Sequence, residues 1–406
     1  MDSTEREATF ENALAFAADL IRIPGLSGHE EDVARRVWQE MEALGLEDIR
    51  VDEAGNVIGV ARGRGNAPPA LLNCHLDVVA EGDHGEWEVP PFSGDVRDGF
   101  LHGRGAMDIK GPLALQTYAA AALLSRAPGD VIVAHTVLEE RGGLGMKHLL
   151  ESGSVKPGVV IIGESTHGDV CIGHRGRAEV EVVIAGTAGH ASAPERAHNA
   201  LDALGGVLAA VQSLAQRQPA DEVLGRASVT TTMVDVLPES RNVIPDKVVV
   251  TLDWRILPGY PEEKLQEWVR EVLSEHLPSL PPGLSLAVRM ATELQRTYTG
   301  MEEDKNLMTP GFLMDPGHPV VLAAAAAVGR REDATVPAVV RPWAFATDGG
   351  WSSGVFGIPT IGFAPGEERF AHTNRERLDV EEARWAFERY PALISAVQQS
   401  LQEARS

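Results

Sequence analysis

Cysteine is nearly absent from this chain. Cys74 and Cys171 are the only two among 406 residues. That is too few for a disulfide framework and suits a reducing compartment. Long apolar runs are missing as well. The longest, VVLAAAAAV from Val320, is about half of what a membrane-spanning helix needs. Basic residues are outnumbered, 36 Lys and Arg against 59 Asp and Glu, for a formal net charge of −23. That charge repels nucleic acid and anionic membranes, so neither is expected as a partner. The N-terminal MDSTEREATF is charged and lacks the apolar core of a signal peptide. A cytoplasmic location is the expectation.

The composition, 44% hydrophobic and 23% charged, is that of an ordinary globular protein. Its length exceeds what one core usually supports, so two domains are expected. Phe10, Leu14, Ala17 and Ile21 recur at helical spacing, as do Val33, Val37 and Met41. Strand-like ALLNCHLD, DVIVAHTVL and GVVIIGE then alternate with helix-like GPLALQTYAAAALL. Those strand runs are apolar on both faces, which predicts an α/β fold: a mixed, mostly parallel sheet flanked by helices. Past Arg177 the texture changes. In AEVEVVIAG and KVVVTLDWRIL apolar and polar residues alternate, the period of an antiparallel sheet with one wet face. The helical NALDALGGVLAAVQSL and EEKLQEWVREVLSEHL accompany them. Residues 177–291 are therefore expected to form a smaller α+β domain, inserted between 1–176 and 292–406.

Three apolar runs end in ionisable residues. LLNC leads into His75 and Asp77, VIVAHTVL into Glu139 and Glu140, and VVII into Gly163 and Glu164. Ligands of open α/β sheets bind at the carboxyl ends of strands. Asp108 sits among glycines in LHGRGAMDIKG, where helix capping is the plain alternative. His372 lies in a polar loop, ERFAHTNRERL. Adjacent carboxylates such as Glu139 and Glu140 repel, and burying them is costly unless something positive is near. Two divalent cations would bring four positive charges. Asp108, Glu140 and Glu164 with a bound hydroxide would balance them, and His75 and His372 would add neutral nitrogens. Nitrogen and oxygen donors without thiolate suit zinc, with cobalt or manganese also possible.

In order, CHLDVV, GRGAMDIKG, LEERGG, GEST, GTAGHASAP, RNVIP and FAHTNRE resemble the signatures of the two-zinc peptidase and deacylase family. That family includes acetylornithine deacetylase, succinyl-diaminopimelate desuccinylase, carboxypeptidase G and aminoacylase. The resemblance implies a zinc-peptidase catalytic domain carrying a ferredoxin-like lid and dimerisation domain, and a homodimer. It implies that His75 and Glu164 hold one metal, Glu140 and His372 the other, and that Asp108 bridges them. Glu139 becomes the general base, and Asp77 the acceptor of the His75 imidazole proton. In the inserted domain it implies that His190 stabilises an oxyanion across the dimer. Asn242, Arg255 and Arg175 would grip the substrate. The implied activity is amide hydrolysis of small N-acyl amino acids or short peptides by a metal-bridging hydroxide.

Cys74 and His135 read as core residues. Cys74 stands where the family often has Gly, and Pro112 follows DIKG where a second Gly is frequent. Two other readings compete. GWSSG, Gly350 to Gly354, fits the serine-hydrolase elbow with Ser352 as nucleophile, followed by Glu367 and His372. A non-catalytic binding relative of the family is the third reading.

Overall fold

The computed structural model describes residues 3–404. They fall into two compact units. The first takes in the chain up to Gly173, Gln295–Glu303 and the chain from Leu313 onward; the second is His174–Leu294 with Asp304–Phe312. After residue 291 the chain thus returns briefly to the second unit. There Met308–Thr309 pairs with the strand Gly176–Ala185.

The first unit is built on a sheet of eight strands among the described residues. Their order is Glu47–Val51, Val57–Ala61, Val131–Thr136, Ala70–His75, Val159–Ile162, Thr360–Gly362, Val170–Cys171 and Val340–Arg341. The middle four run parallel, and the first two and the Thr360–Gly362/Val170–Cys171 pair are antiparallel. Every residue of Ala70–His75, Val131–Thr136 and Val159–Ile162 is buried, as their unbroken apolar runs require. The helix Lys110–Ala121 packs on Ala70–His75 and touches Ser3–Ile21 and Val380–Glu403. It is buried nearly all round, and its polar Lys110, Gln116 and Thr117 are each hydrogen-bonded. Gly163 ends the third strand where a Cβ would lie 2.3 Å from Cys74 Sγ, so only glycine fits.

The second unit is an antiparallel sheet in the order Ser228–Leu237, Lys247–Ile256, Gly176–Ala185 and Ser285–Met290. Its core joins Val180, Val182 and Ile184 to Val248, Val250, Leu252 and Trp254, capped by Val207 and Leu214 of one helix and Leu265 and Val269 of another. The alternate residues Glu179 and Glu181 point the other way, where Arg177 and Arg289 pair with them. No helix of the described residues is long and apolar enough to cross a membrane.

Trp254 is fully buried, with its indole 2.8 Å from Gln218 Oε1. Trp254→Ala opens a cavity and strands that oxygen. The expected cost is about 3–5 kcal/mol, read from urea denaturation followed by circular dichroism.

Candidate metal centre

Parallel register decides where the site forms. His75 is level with Thr136, and Asn73 with Ile162. The residues just beyond those levels, Asp77, Glu139, Glu140 and Glu164, therefore emerge at one rim of the sheet. Asp108 comes from the turn entering the helix Lys110–Ala121. His372 comes from the loop after the 3-10 turn Glu368–Phe370. A small sheet ties these two loops together, since Arg377–Asp379 pairs with Phe100–His102.

Six of these side chains, those of His75, Asp108, Glu139, Glu140, Glu164 and His372, converge. His75 Nε2 lies 3.2 Å from Asp108 Oδ1 and 3.3 Å from Glu164 Oε1. His372 Nε2 lies 3.2 Å from Asp108 Oδ2 and 3.0 Å from Glu140 Oε1. The two oxygens of Asp108 thus face one histidine each. Ligand atoms of His75, Asp108 and Glu140 all lie within 4.8 Å of one another, as do those of His75, Glu139 and Glu164.

So much acid in one place disturbs every proton. Burial, then repulsion from Asp108, pushes the Glu164 carboxyl up to about 7. Burial likewise raises Glu139 well above the usual range, and Glu140 to a lesser degree. Burial opposes charge on His75, yet its contacts with Asp108, Asp77 and Glu164 together hold its pKa well above normal. Hydrogen bonds to Asp108 and Glu140 carry His372 to about 10. Burial would raise Asp108, but His372 and His75 outweigh it and hold it below the carboxylate range. Protons would compensate such crowded acids. A cation among nitrogen and oxygen donors would do so without them, so the residues present fit divalent metal ions.

The backbone around the cluster is held by other carboxylates. Asp77 Oδ1 accepts from the Glu139 amide at 3.1 Å, and Oδ2 from the Glu140 amide at 3.3 Å and Ser27 Oγ at 2.7 Å. The Asp77 carboxylate stands 3.5 Å from His75 Nδ1; the nearer acceptor is the Asp77 carbonyl, at 2.8 Å. The strand ends at His75, so residue 77 no longer follows the pleat, and its carbonyl meets the ring nitrogen Nδ1. Two further acids were not singled out from sequence. Buried Glu30 accepts from the amides of Gly28 and Leu138, the latter at a positive φ of 55°. Buried Glu376 accepts from the amides of Met107 and Asp108 at 3.3 and 3.2 Å and pairs with Arg104 at 2.6 Å. Glu376 lies four residues past His372, at the end of FAHTNRE, but nothing in its spacing marks it as an acceptor for residue 108.

Cys74 and His135 are core residues on the sheet face covered by Lys110–Ala121, bonded to Gln116 and Thr117. Arg175, His190, Asn242 and Arg255 belong to the second unit. There Arg175 donates to the Arg226 carbonyl, His190 contacts Ser192, Asn242 accepts from Ser240, and Arg255 pairs with Asp253. Ser352 is fully buried in the helical turn Gly350–Val355, with its hydroxyl 2.8 Å from Thr360 Oγ1. His372 is taken up by Asp108 and Glu140. Neither is arranged as a serine-hydrolase elbow.

The sequence model described as Peptidase family M20/M25/M40 matches residues 71–396. The chain belongs to this family. An Escherichia coli relative called uncharacterized protein YgeY is 31% identical over 368 residues, covering 89% of this chain and 88% of its own. The succinyl-diaminopimelate desuccinylase of Gluconacetobacter diazotrophicus is 32% identical over 311 residues, covering 72% and 78%. The Bacillus subtilis YXEP protein, described as a dinuclear metal binding peptidase from the M20 family, shares the fold. The TM-score is 0.71 at 18% identity, over 97% of this chain and 99% of that one. The mixed sheet with a separate antiparallel sheet unit is thus the M20 fold.

Glu376→Gln keeps an acceptor for the amides of Met107 and Asp108 but strands the Arg104 charge. It is expected to cost about 3–5 kcal/mol. Adding Arg104→Met should recover about half of that loss, measured by urea denaturation of both variants.

Proposed function

We propose that this chain is a hydrolase with two divalent cations that cleaves an amide bond of small N-acyl amino acids or short peptides. The observation that supports it most is the convergence of His75, Asp108, Glu139, Glu140, Glu164 and His372 from separate segments of one family fold. His75 and Glu164 would hold one cation, Glu140 and His372 the other. Asp108 would serve both, as its two oxygens facing the two histidines support. Zinc suits this donor set, with cobalt or manganese acceptable. When bound, the ions supply Lewis acidity that polarises a carbonyl and makes water a better nucleophile at neutral pH.

The chain's own part in the reaction falls to Glu139. Its amide is pinned by Asp77, and its carboxylate lies beside ligand atoms of both His75 and Glu164. Glu139 takes the proton of the attacking water and delivers it to the leaving nitrogen. Asp77 acts through Glu139 and Glu140 by fixing the turn that carries them. In the second unit, His190 would stabilise the oxyanion across a homodimer, and Asn242, Arg255 and Arg175 would bind the substrate's carboxylate or carbonyl. The presence of every expected ligand and the base supports an enzyme of small-molecule substrates rather than a binding module, and a cytoplasmic location is part of this proposal.

Glu139→Ala is expected to retain two equivalents of zinc by elemental analysis while losing about 10²–10⁴-fold in turnover on N-acyl amino acids or dipeptides. Full activity in that variant would sink the assignment of the base. Dialysis against a chelator should abolish turnover and added zinc or cobalt restore it. Ser352→Ala should keep its activity in the same assay, and labelling by a serine-directed phosphonate would favour the serine-hydrolase reading.

A further inference from the structure

Two cavities adjoin the stretch from Glu368 to Arg377. The first, of about 240 Å³, holds the cluster and has Glu368 in its wall, with Oε2 shut off from solvent and without a hydrogen bond. It belongs to the reaction proposed above. The second, of about 340 Å³, is lined by Arg369, Phe370, Arg375 and Arg377 and, from a distant segment, by Trp87 and Glu88. None of these six residues has a part in that reaction.

The run RFAHTNRER, from Arg369, brings three arginines to one cavity of a chain whose net charge is −23. Their expected partners are engaged elsewhere. Glu376, between Arg375 and Arg377, turns to Arg104 and to the amides of Met107 and Asp108. Arg369 pairs with Glu367 at 2.7 Å. Among the described residues no carboxylate, exposed Glu88 included, comes within 4.0 Å of the Arg375 or Arg377 guanidinium. Neither guanidinium donates a hydrogen bond to another described residue.

Arg377 is held in place all the same. Its guanidinium carbon lies over the rings of Phe100 and Phe370, 4.1 and 5.3 Å from their centroids. Stacking of that kind orients the plane and leaves the N–H groups at its edge free to donate. The walls are tied as well. Asn374 Nδ2 donates to the Glu86 carbonyl at 3.1 Å, next to Trp87, and Thr373 Oγ1 accepts from the Arg375 amide at 3.2 Å. The site therefore stands assembled before a ligand arrives, which lowers the ordering cost of binding.

Guanidinium groups bind oxyanions through paired N–H···O bonds. Two of them without partners call for more oxygens and more charge than one carboxylate supplies. A phosphate group meets both needs, with three free oxygens and nearly two negative charges. The volume lies at the small end of ligand pockets, which leaves room for a compact organic group beside Phe370. We infer that this cavity is a binding site for a phosphate group, free or as a small monoester, held by Arg375 and Arg377. The site is independent of which amide the metal centre cleaves.

The test is calorimetry on the full-length, zinc-loaded protein at about 0.15 M salt, where exposed charges are screened. The probes are inorganic phosphate, phenyl phosphate and benzoate. At least one phosphate is expected to bind with a Kd below about 1 mM. Arg375→Gln and Arg377→Gln should each weaken it at least about tenfold. Zinc content and the melting temperature of the free protein check folding, and exposed Arg375 has no partner whose loss could disturb it. Phenyl phosphate binding more tightly names a monoester as the ligand, and equal or tighter binding of inorganic phosphate names the free ion. Affinity unchanged in both variants, as contact with bound zinc alone would give, overturns the inference. So does benzoate binding as tightly as phenyl phosphate, or no phosphate binding below about 10 mM.

Discussion

Negative charge crowded against the carboxyl ends of three parallel strands is the constraint on which the first unit depends. Apolar strands are pressed together by burial, and parallel register then delivers the residues after them to one rim. In this chain those residues are acids: Asp77 after one strand, Glu139 and Glu140 after the next, Glu164 after the third. Left alone, such groups would separate or take up protons. A carboxyl at about 7 and an imidazole at about 10 within one cluster mean that charge is being shared among neighbours.

Holding such groups close requires a rigid backbone, and the protein obtains it with further carboxylates. Asp77 grips the amides of Glu139 and Glu140, Glu30 that of Leu138, and Glu376 those of Met107 and Asp108. An ionised carboxylate makes stronger hydrogen bonds to amides than a neutral acceptor does. Burial pushes Glu30 and Glu376 up to about 7, so the arrangement fixes geometry at the cost of ionising buried acids. Arg104 offsets part of it at Glu376, inside the core. The second unit solves an easier problem. Its sheet buries one apolar face under two helices and leaves Glu179, Glu181 and Asp253 on the wet side with arginine partners.

Much of this is legible in the sequence. Unbroken apolar runs give away the parallel strands, and strict alternation the antiparallel ones, because burial on two faces or one leaves those periods in the chain. The proposed ligand set can be picked out for a related reason. His75, Glu140 and Glu164 end apolar strands, and Asp108 and His372 sit in motifs with a family resemblance. The supporting acids are not legible. Glu376 reaches an amide 268 positions away and Glu30 one 108 positions away, and contacts across such separations have no period. Glu368 escapes a reading of the sequence because an unpartnered oxygen is defined by what surrounds it.

The chain by itself determined which donors exist, that they are nitrogen and oxygen without thiolate, and which strands carry them. Hydrophobic periodicity and local motif order suffice for that. Only the tertiary structure decided that each Asp108 oxygen faces a different histidine, and that Asp77 holds two amides while its carbonyl meets His75. Only there does Glu368 come to the cavity wall with its Oε2 shut off from solvent. Those outcomes depend on the direction of single hydrogen bonds between distant segments, and direction is set by packing rather than by sequence neighbours.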